Sequence, residues 1–215
     1  MNDEHPELGH WLEILSAALM AFAVVGSAFS AWQATRWGGQ QSTLFAEASS
    51  TRAQSNQAIT AAGQQISYDA IIFGEFAIEF VRDALDGELP PEATALADLL
   101  VRDEFRPALN AWIELEPLNN PDAPKTPFEL EEYRNANLEE GERLSRLAES
   151  DLDEGKQANQ NSDDFILAVV FFASVLFFGG IAPKFRTVYV RAVVLLLASG
   201  GLGFAVWQIA TLPYH

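Results

Sequence analysis

Two adjacent acids, Asp163 and Asp164, stand immediately before an uninterrupted apolar run that begins at Phe165. Carboxylates in that place do one of two things. In an oligomer they form a ring that concentrates cations at a pore mouth. In a single chain they mark the wet edge of a helix entering a membrane, where the helix dipole favours them only if the helix starts there. Glu47, Asp153 and Glu154 fall near the same height. Glu13 is the one acid inside the first apolar stretch, and Lys184 and Arg186 belong to the same side. Charges near helix ends reach water, so these three suit a structural interface pair better than a proton relay. The run Asp151-x-Asp153-Glu154-Gly155 lacks the third alternating ligand and the distant bidentate Glu of a calcium loop, and reads as a solvated helical face. His5, His10 and His215 lie near the ends of the sequence with no partner motif and read as solvated tails. P-loop, dinucleotide-binding, nucleophile-elbow and zinc patterns are absent. The absence of Cys removes disulfides, thiolate metal sites and a Cys nucleophile. The expectation is a chain with no catalytic residue, cofactor or metal.

The elements that position these residues follow from how charge and hydrophobicity separate. The chain has 215 residues, 49% hydrophobic, yet a formal net charge of −17. The acids concentrate in the middle, between residues 38 and 163, and the two ends are nearly uncharged. Acidity argues against nucleic acid as a partner. Abundant aliphatic and aromatic residues argue against disorder. Residues 11–31 are long and apolar enough to span a bilayer. No Lys or Arg precedes them and the apolar stretch is too long for a signal peptide, so a retained span is expected. Residues 165–182 and 188–212 are two more spans, joined by a tight turn at Pro183, Lys184, Phe185 and Arg186. Trp32, Trp37 and Trp207 are the interfacial anchors. Small residues spaced by four, Gly26 with Ser30 and Ser199 with Gly203, permit close helix contact, within one chain or between chains.

The middle region reads as helical. A proline-free stretch from Gln40 to Leu89 follows Gly38-Gly39, a candidate hinge. Its second half shows a seam at Ile59, Ala62, Ile66, Ala70, Phe73, Ala77, Phe80 and Ala84. Asp86-Gly87 ends it and Pro90-Pro91 bars continuation. Short helices are expected over 92–105 and from Pro107 to Leu115, then a proline-rich loop over 117–127. Thr126-Pro127-x-Glu129 has the form of a helix start. From there Leu138, Leu144, Leu147, Ala148 and Leu152 give an apolar face. The expected fold is therefore all-α: an integral membrane protein with three transmembrane helices, a long antiparallel helical stalk and a small helical tip over 86–127. The expected parts are 1–37, tail and first span; 38–163, acidic extramembrane domain; and 164–215, a transmembrane hairpin. The 129–164 arm is shorter than the first, so either the first arm bends or the tip folds back along it.

Three segments resemble a family of uncharacterised bacterial three-span membrane proteins with a helical insert between the first and second spans. They are Ala31-Trp32-Gln33-Ala34-Thr35-Arg36-Trp37; Asn120-Pro121-Asp122-Ala123-Pro124-x-x-Pro127-Phe128 with Glu132-Tyr133-Arg134; and Ala158-Asn159-Gln160-x-Ser162-Asp163-Asp164. The resemblance implies three spans and a helical insert. It implies no activity.

The functional expectation is a non-enzymatic, self-associating protein of the bacterial inner membrane. It would present the tip (Trp112 and the 117–127 loop) to a protein partner, with the lipid bilayer and further copies of itself as its other partners. Lys184, Arg186 and Arg191 place the hairpin turn in the cytoplasm with the N-terminus, and 38–163 outside. The alternative is a homo-oligomeric cation channel with Asp163 and Asp164 at the mouth.

Overall fold

The structure, a computed structural model, describes residues 6–86 and 99–215. Among these residues it is all-helical. The helices are α1 (Pro6–Asp86), α2 (Arg106–Glu114), α3 (Ala136–Ile181) and α4 (Val188–Thr211), with single 3-10 turns at Pro127–Glu129 and Ala182–Lys184. Three of them, α1, α3 and α4, contain stretches long and apolar enough to cross a membrane.

α1 is helical to Asp86, the last described residue before 99, and the stop expected at Asp86-Gly87 and Pro90-Pro91 lies outside the described residues. The hinge expected at Gly38-Gly39 is absent: the helix passes through both glycines unbroken. Each mid-helix Gly costs about 1 kcal/mol against Ala, which packing along so long a helix offsets. Most of the short helix expected over 92–105 lies outside the described residues, and 101–105 is turn rather than helix. The helix start expected at Thr126-Pro127-x-Glu129 makes only a 3-10 turn, and Leu130 is extended. Thr126 Oγ1 bonds Glu129 Oε1 (3.2 Å) instead of the backbone. The true start lies at Asn135, whose Oδ1 accepts the Leu138 N–H at 3.0 Å, a side-chain N-cap.

The chain divides into two compact units: Met1–Ala48 with Ser150–His215, and Ser49–Glu149. The first is a three-helix bundle. Its core is Leu19 and Ala23 of α1, Ala168, Phe172 and Val175 of α3, Ala182 of the turn, and Leu195, Ala198 and Ala205 of α4. Buried positions recur every seven residues, Ser16, Ala23 and Ser30 on α1 and Ala168, Val175 and Ala182 on and just past α3. A seven-residue period of this kind lets two helices keep one face toward each other. Glycine sets the spacing. The Phe172 ring occupies the place a Gly26 Cβ would take, and Phe45 fills the corresponding place beside Gly155.

The second unit holds the same seven-residue pattern, written in small residues: Ser55, Ala62 and Asp69 on α1, Gly141 and Ala148 on α3. Ser55 Oγ–H donates to the Gly141 carbonyl at 2.7 Å, and Asn137 Nδ2 donates to Gln65 Oε1 at 3.0 Å. Chain numbers rise on α1 as they fall on α3, so the pair is antiparallel here. The seam expected from hydrophobicity is only partly right. Ala62 is buried, but Ile59, Ala70 and Leu147 are exposed, and Asp69 is inside. Residues 99–135 fold back along α1 over a second core of Val101, Phe105, Ala108, Leu109 and Trp112.

Candidate functional site

The most elaborated side-chain cluster lies in the second unit and was not anticipated. Asp69 is 1% exposed and Arg102 is 19% exposed. Arg102 donates to both carboxylate oxygens, Nε to Oδ1 at 2.9 Å and Nη2 to Oδ2 at 2.8 Å. The Tyr133 hydroxyl donates to Oδ2 at 3.0 Å. Arg102 also reaches Glu104 Oε2 at 2.7 Å, and Tyr68 donates to the Leu100 carbonyl at 3.0 Å. The bidentate hydrogen bond to Asp69 holds the Arg102 guanidinium charged, its pKa above the ordinary value despite the opposing effect of burial. Burial, and then the bond to Asp69, push the Tyr133 hydroxyl up to about 12.

Three donors fill the Asp69 carboxylate, which makes it a fastener between α1, the 99–105 segment and the strap before α3. The adjoining rings complete the clasp. Phe105 and Phe128 stack at 5.2 Å, Tyr133 stands edge-on to both, and Phe73 meets Trp112 and Phe128 edge-on at 5.2 and 5.7 Å. Trp112 is buried and its Nε1–H donates to the Pro124 carbonyl at 2.8 Å. Trp112 therefore holds the tip together and offers no surface to a partner, contrary to the expectation. Asn120 fixes the loop: its Oδ1 accepts Asp122 N–H at 3.0 Å and its Nδ2 donates to the Leu115 carbonyl at 3.2 Å. Glu116 takes a positive φ of 49° as the chain leaves α2. Among the described residues of this unit the exposed apolar side chains include Ile71 and Ile78, one heptad apart and 65% and 58% exposed, and Leu99 and Leu118.

The residues singled out from sequence lie in the first unit. Asp163 and Asp164 are exposed. α3 starts at Ala136, so no helix N-terminal dipole acts on them. Asn159 Nδ2 donates to Asp163 Oδ2 at 3.2 Å, and the Asp164 backbone carbonyl accepts from Gln208 Nε2 at 2.9 Å. Glu13 pairs with Arg191 (3.6 Å), not with Lys184 or Arg186, which are exposed. Arg191 lies one helical turn into α4, pointing back at the turn, a position that Lys184 and Arg186 on the turn itself do not share. Gly26 packs against Phe172 as expected of a packing residue, and Ser30 is fully buried. Ser199 and Gly203 are exposed, and a Cβ at Gly203 would meet nothing. Within the chain that role falls to Ala198, Gly201 and Ala205.

Trp32 and Trp207 are exposed, and the Arg36 guanidinium lies 6.0 Å over the Trp32 ring. Trp37 Nε1 donates to the Pro213 carbonyl at 3.1 Å. His215, expected as a solvated tail, instead sits edge-on to Trp37 at 5.1 Å, with its backbone N–H on Gln33 Oε1. Unforeseen hydroxyls cross-link the spans: Ser16 Oγ–H to the Gly179 carbonyl at 2.7 Å and Ser162 Oγ–H to the Ala34 carbonyl at 3.0 Å. For Ser16 the available signal was a Ser inside an apolar run; Ser162, in a polar stretch, offered none. Among the described residues no three His, Asp or Glu side chains gather as metal ligands. Compared with known protein families, curated proteins and solved structures, the chain matches none.

Proposed function

We propose that this chain is a bacterial inner-membrane protein that crosses the bilayer three times, associates with copies of itself and presents residues 49–149 as an acidic interaction module with no catalytic role. One observation carries the reading. That segment closes a core of its own, clasped by Asp69, Arg102 and Tyr133, while Ile71 and Ile78 stay 65% and 58% exposed. Two large apolar side chains left outside a well-packed unit, two helical turns apart on one face, support a contact surface there. The basic turn at Lys184 and Arg186 supports a cytoplasmic hairpin and N-terminus, with the acidic module outside. The resemblance of three segments to uncharacterised bacterial three-span proteins supports three spans with a helical insert, and carries no orientation.

The test is the particle mass in a lipid nanodisc, for wild type and for Ile71→Asp with Ile78→Asp. An oligomer in the wild type that dissociates in the variant is the expected result. A monomer in both nanodisc and detergent removes self-association. A cation channel is the second reading, favoured by the exposure of Asp163 and Asp164 beside the apolar run. It requires ion flux in liposomes that falls in Asp163→Asn and Asp164→Asn; no flux under voltage, tension or pH steps sinks it.

A further inference from the structure

The chain carries 30 acids against 13 bases, yet the turn between α3 and α4 reverses that balance. Lys184, Arg186 and Arg191 fall within eight residues, and no acid occurs anywhere from 165 to 215. Arg191 is committed. Its Nη1 lies 3.6 Å from Glu13 Oε1 and 3.4 Å from the Gly9 carbonyl, and its Nη2 reaches the Pro183 and Phe185 carbonyls at 3.5 and 3.3 Å. Those last two bonds hold the turn in one conformation. Lys184 and Arg186, two residues apart on it, are exposed and make no ion pair or hydrogen bond among the described residues. Glu13, the nearby described acid, is the partner of Arg191.

The residues that flank the two cations in the chain are mostly apolar. Phe185 lies between them, and Tyr189, Val193 and Leu196, spaced by four and three, make one exposed face of α4; Tyr189 is 84% exposed. A soluble anion has no use for that face, whereas an acyl chain does. We propose that Lys184 and Arg186 bind the phosphate of an anionic glycerophospholipid, with its acyl chain along Tyr189, Val193 and Leu196. The positioning residue is Arg191, which fixes the turn. The proposal rests on the membrane-spanning part of the function proposed above.

The experiment uses the full chain in detergent and counts bound lipid by native mass spectrometry, with dioleoylphosphatidylglycerol and dioleoylphosphatidylcholine as probes. A cation near an anionic headgroup contributes about 1 kcal/mol, or about fivefold in affinity. Lys184→Gln and Arg186→Gln should each weaken phosphatidylglycerol binding about fivefold, and the double variant about 25-fold, with phosphatidylcholine unchanged. Lys156→Gln, which removes an exposed cation elsewhere, should change neither. Equal binding of the two lipids by wild type, or wild-type binding by the double variant, overturns the proposal. So does displacement of the lipid by millimolar inorganic phosphate, which would make the turn a plain anion site. Quenching of the Trp residues by brominated phosphatidylcholine vesicles reports insertion by itself. Its absence would defeat the membrane reading, whereas quenching without phosphatidylglycerol preference defeats only this site.

Discussion

Replacing Arg102 by Met is the sharpest perturbation of the second unit. Met keeps much of the stem volume and removes the charge. Asp69, 1% exposed, would lose two of its three hydrogen bonds and keep only the one from Tyr133. Removing one partner of a buried ion pair costs about 3–5 kcal/mol, because the remaining charge stays desolvated. Arg102 is itself 19% exposed, so water can reach part of the vacated space, and the low end, about 3 kcal/mol, applies. With a urea slope of about 2 kcal/mol per molar, the unfolding midpoint should fall by about 1.5 M. The reporter is Trp112, buried against Phe73 and Phe80, in the full chain in mild detergent with Trp11, Trp32, Trp37 and Trp207 changed to Phe. Adding Asp69→Leu to Arg102→Met should restore at least half of the loss, since an apolar pair leaves no charge behind. The reasoning fails if Arg102→Met shifts the midpoint no more than Arg146→Met, whose ion pair with Glu142 is exposed on both sides.

The same reporter serves three further predictions, with one more from the spans. Tyr133 has its pKa raised from 10.0 to about 12, so the folded unit holds a proton there that the unfolded chain releases. Its contribution is complete below pH ~10 and is lost as pH rises through about 12, so Tyr133→Phe should flatten the fall in urea midpoint over that window. Equal alkaline slopes in both proteins would refute this. Gly141→Ala would put a Cβ 2.6 Å from Ile59 Cγ1 and 3.3 Å from the Ser55 carbonyl, and should destabilise by about 1–3 kcal/mol. Gly63→Ala meets nothing within 4 Å and should stabilise by up to about 1 kcal/mol; the same sign for both would count against the close approach. Ser16→Ala deletes the bond to the Gly179 carbonyl and should cost about 0.6 kcal/mol, at most ~1.7, in dodecyl sulfate titrations of the spans.

Where strong contrasts in hydropathy exist, the sequence is explicit. The apolar runs before Trp32, after Asp164 and after Thr187 all become helices long enough to cross a bilayer. Between α1 and α3 the seam is Ser55, Ala62, Gly141 and Ala148. Those residues differ little from their exposed Ala, Ser and Gln neighbours, so a hydrophobic period finds no signal. The sequence period instead favoured Ala70, one residue from the buried Asp69. A lone Asp in a helix reads as solvent-facing, and Arg102, 33 residues away, with Tyr133, 64 residues away, makes its burial tolerable. The Thr126 and Glu129 pair misled for a different reason. A capping box is a local rule, but Phe128 is drawn into the aromatic core and the chain extends at Leu130 before Asn135 caps the helix.

The first unit is assembled from both ends of the chain, and that has a consequence for timing during synthesis. Ser16 finds its acceptor 163 residues later, Ser162 reaches back 128 residues to Ala34, and the His215 N–H meets Gln33 across 182. At ribosomal speeds of about 5–20 residues per second, Ser16 waits roughly 8–33 s for its acceptor. Residues 49–149 have no such wait, because their unit is continuous in the chain. They can close around Trp112 while α3 is still emerging. The long loop that the bundle must close is then already a folded body, and its entropy has been spent before α4 arrives. On the proposed topology, a translocated module that fails to fold would leave Ser16, Ser30 and Gln33 of α1 facing lipid for longer. Defects in the second unit should then surface first as loss of α1 to membrane quality control.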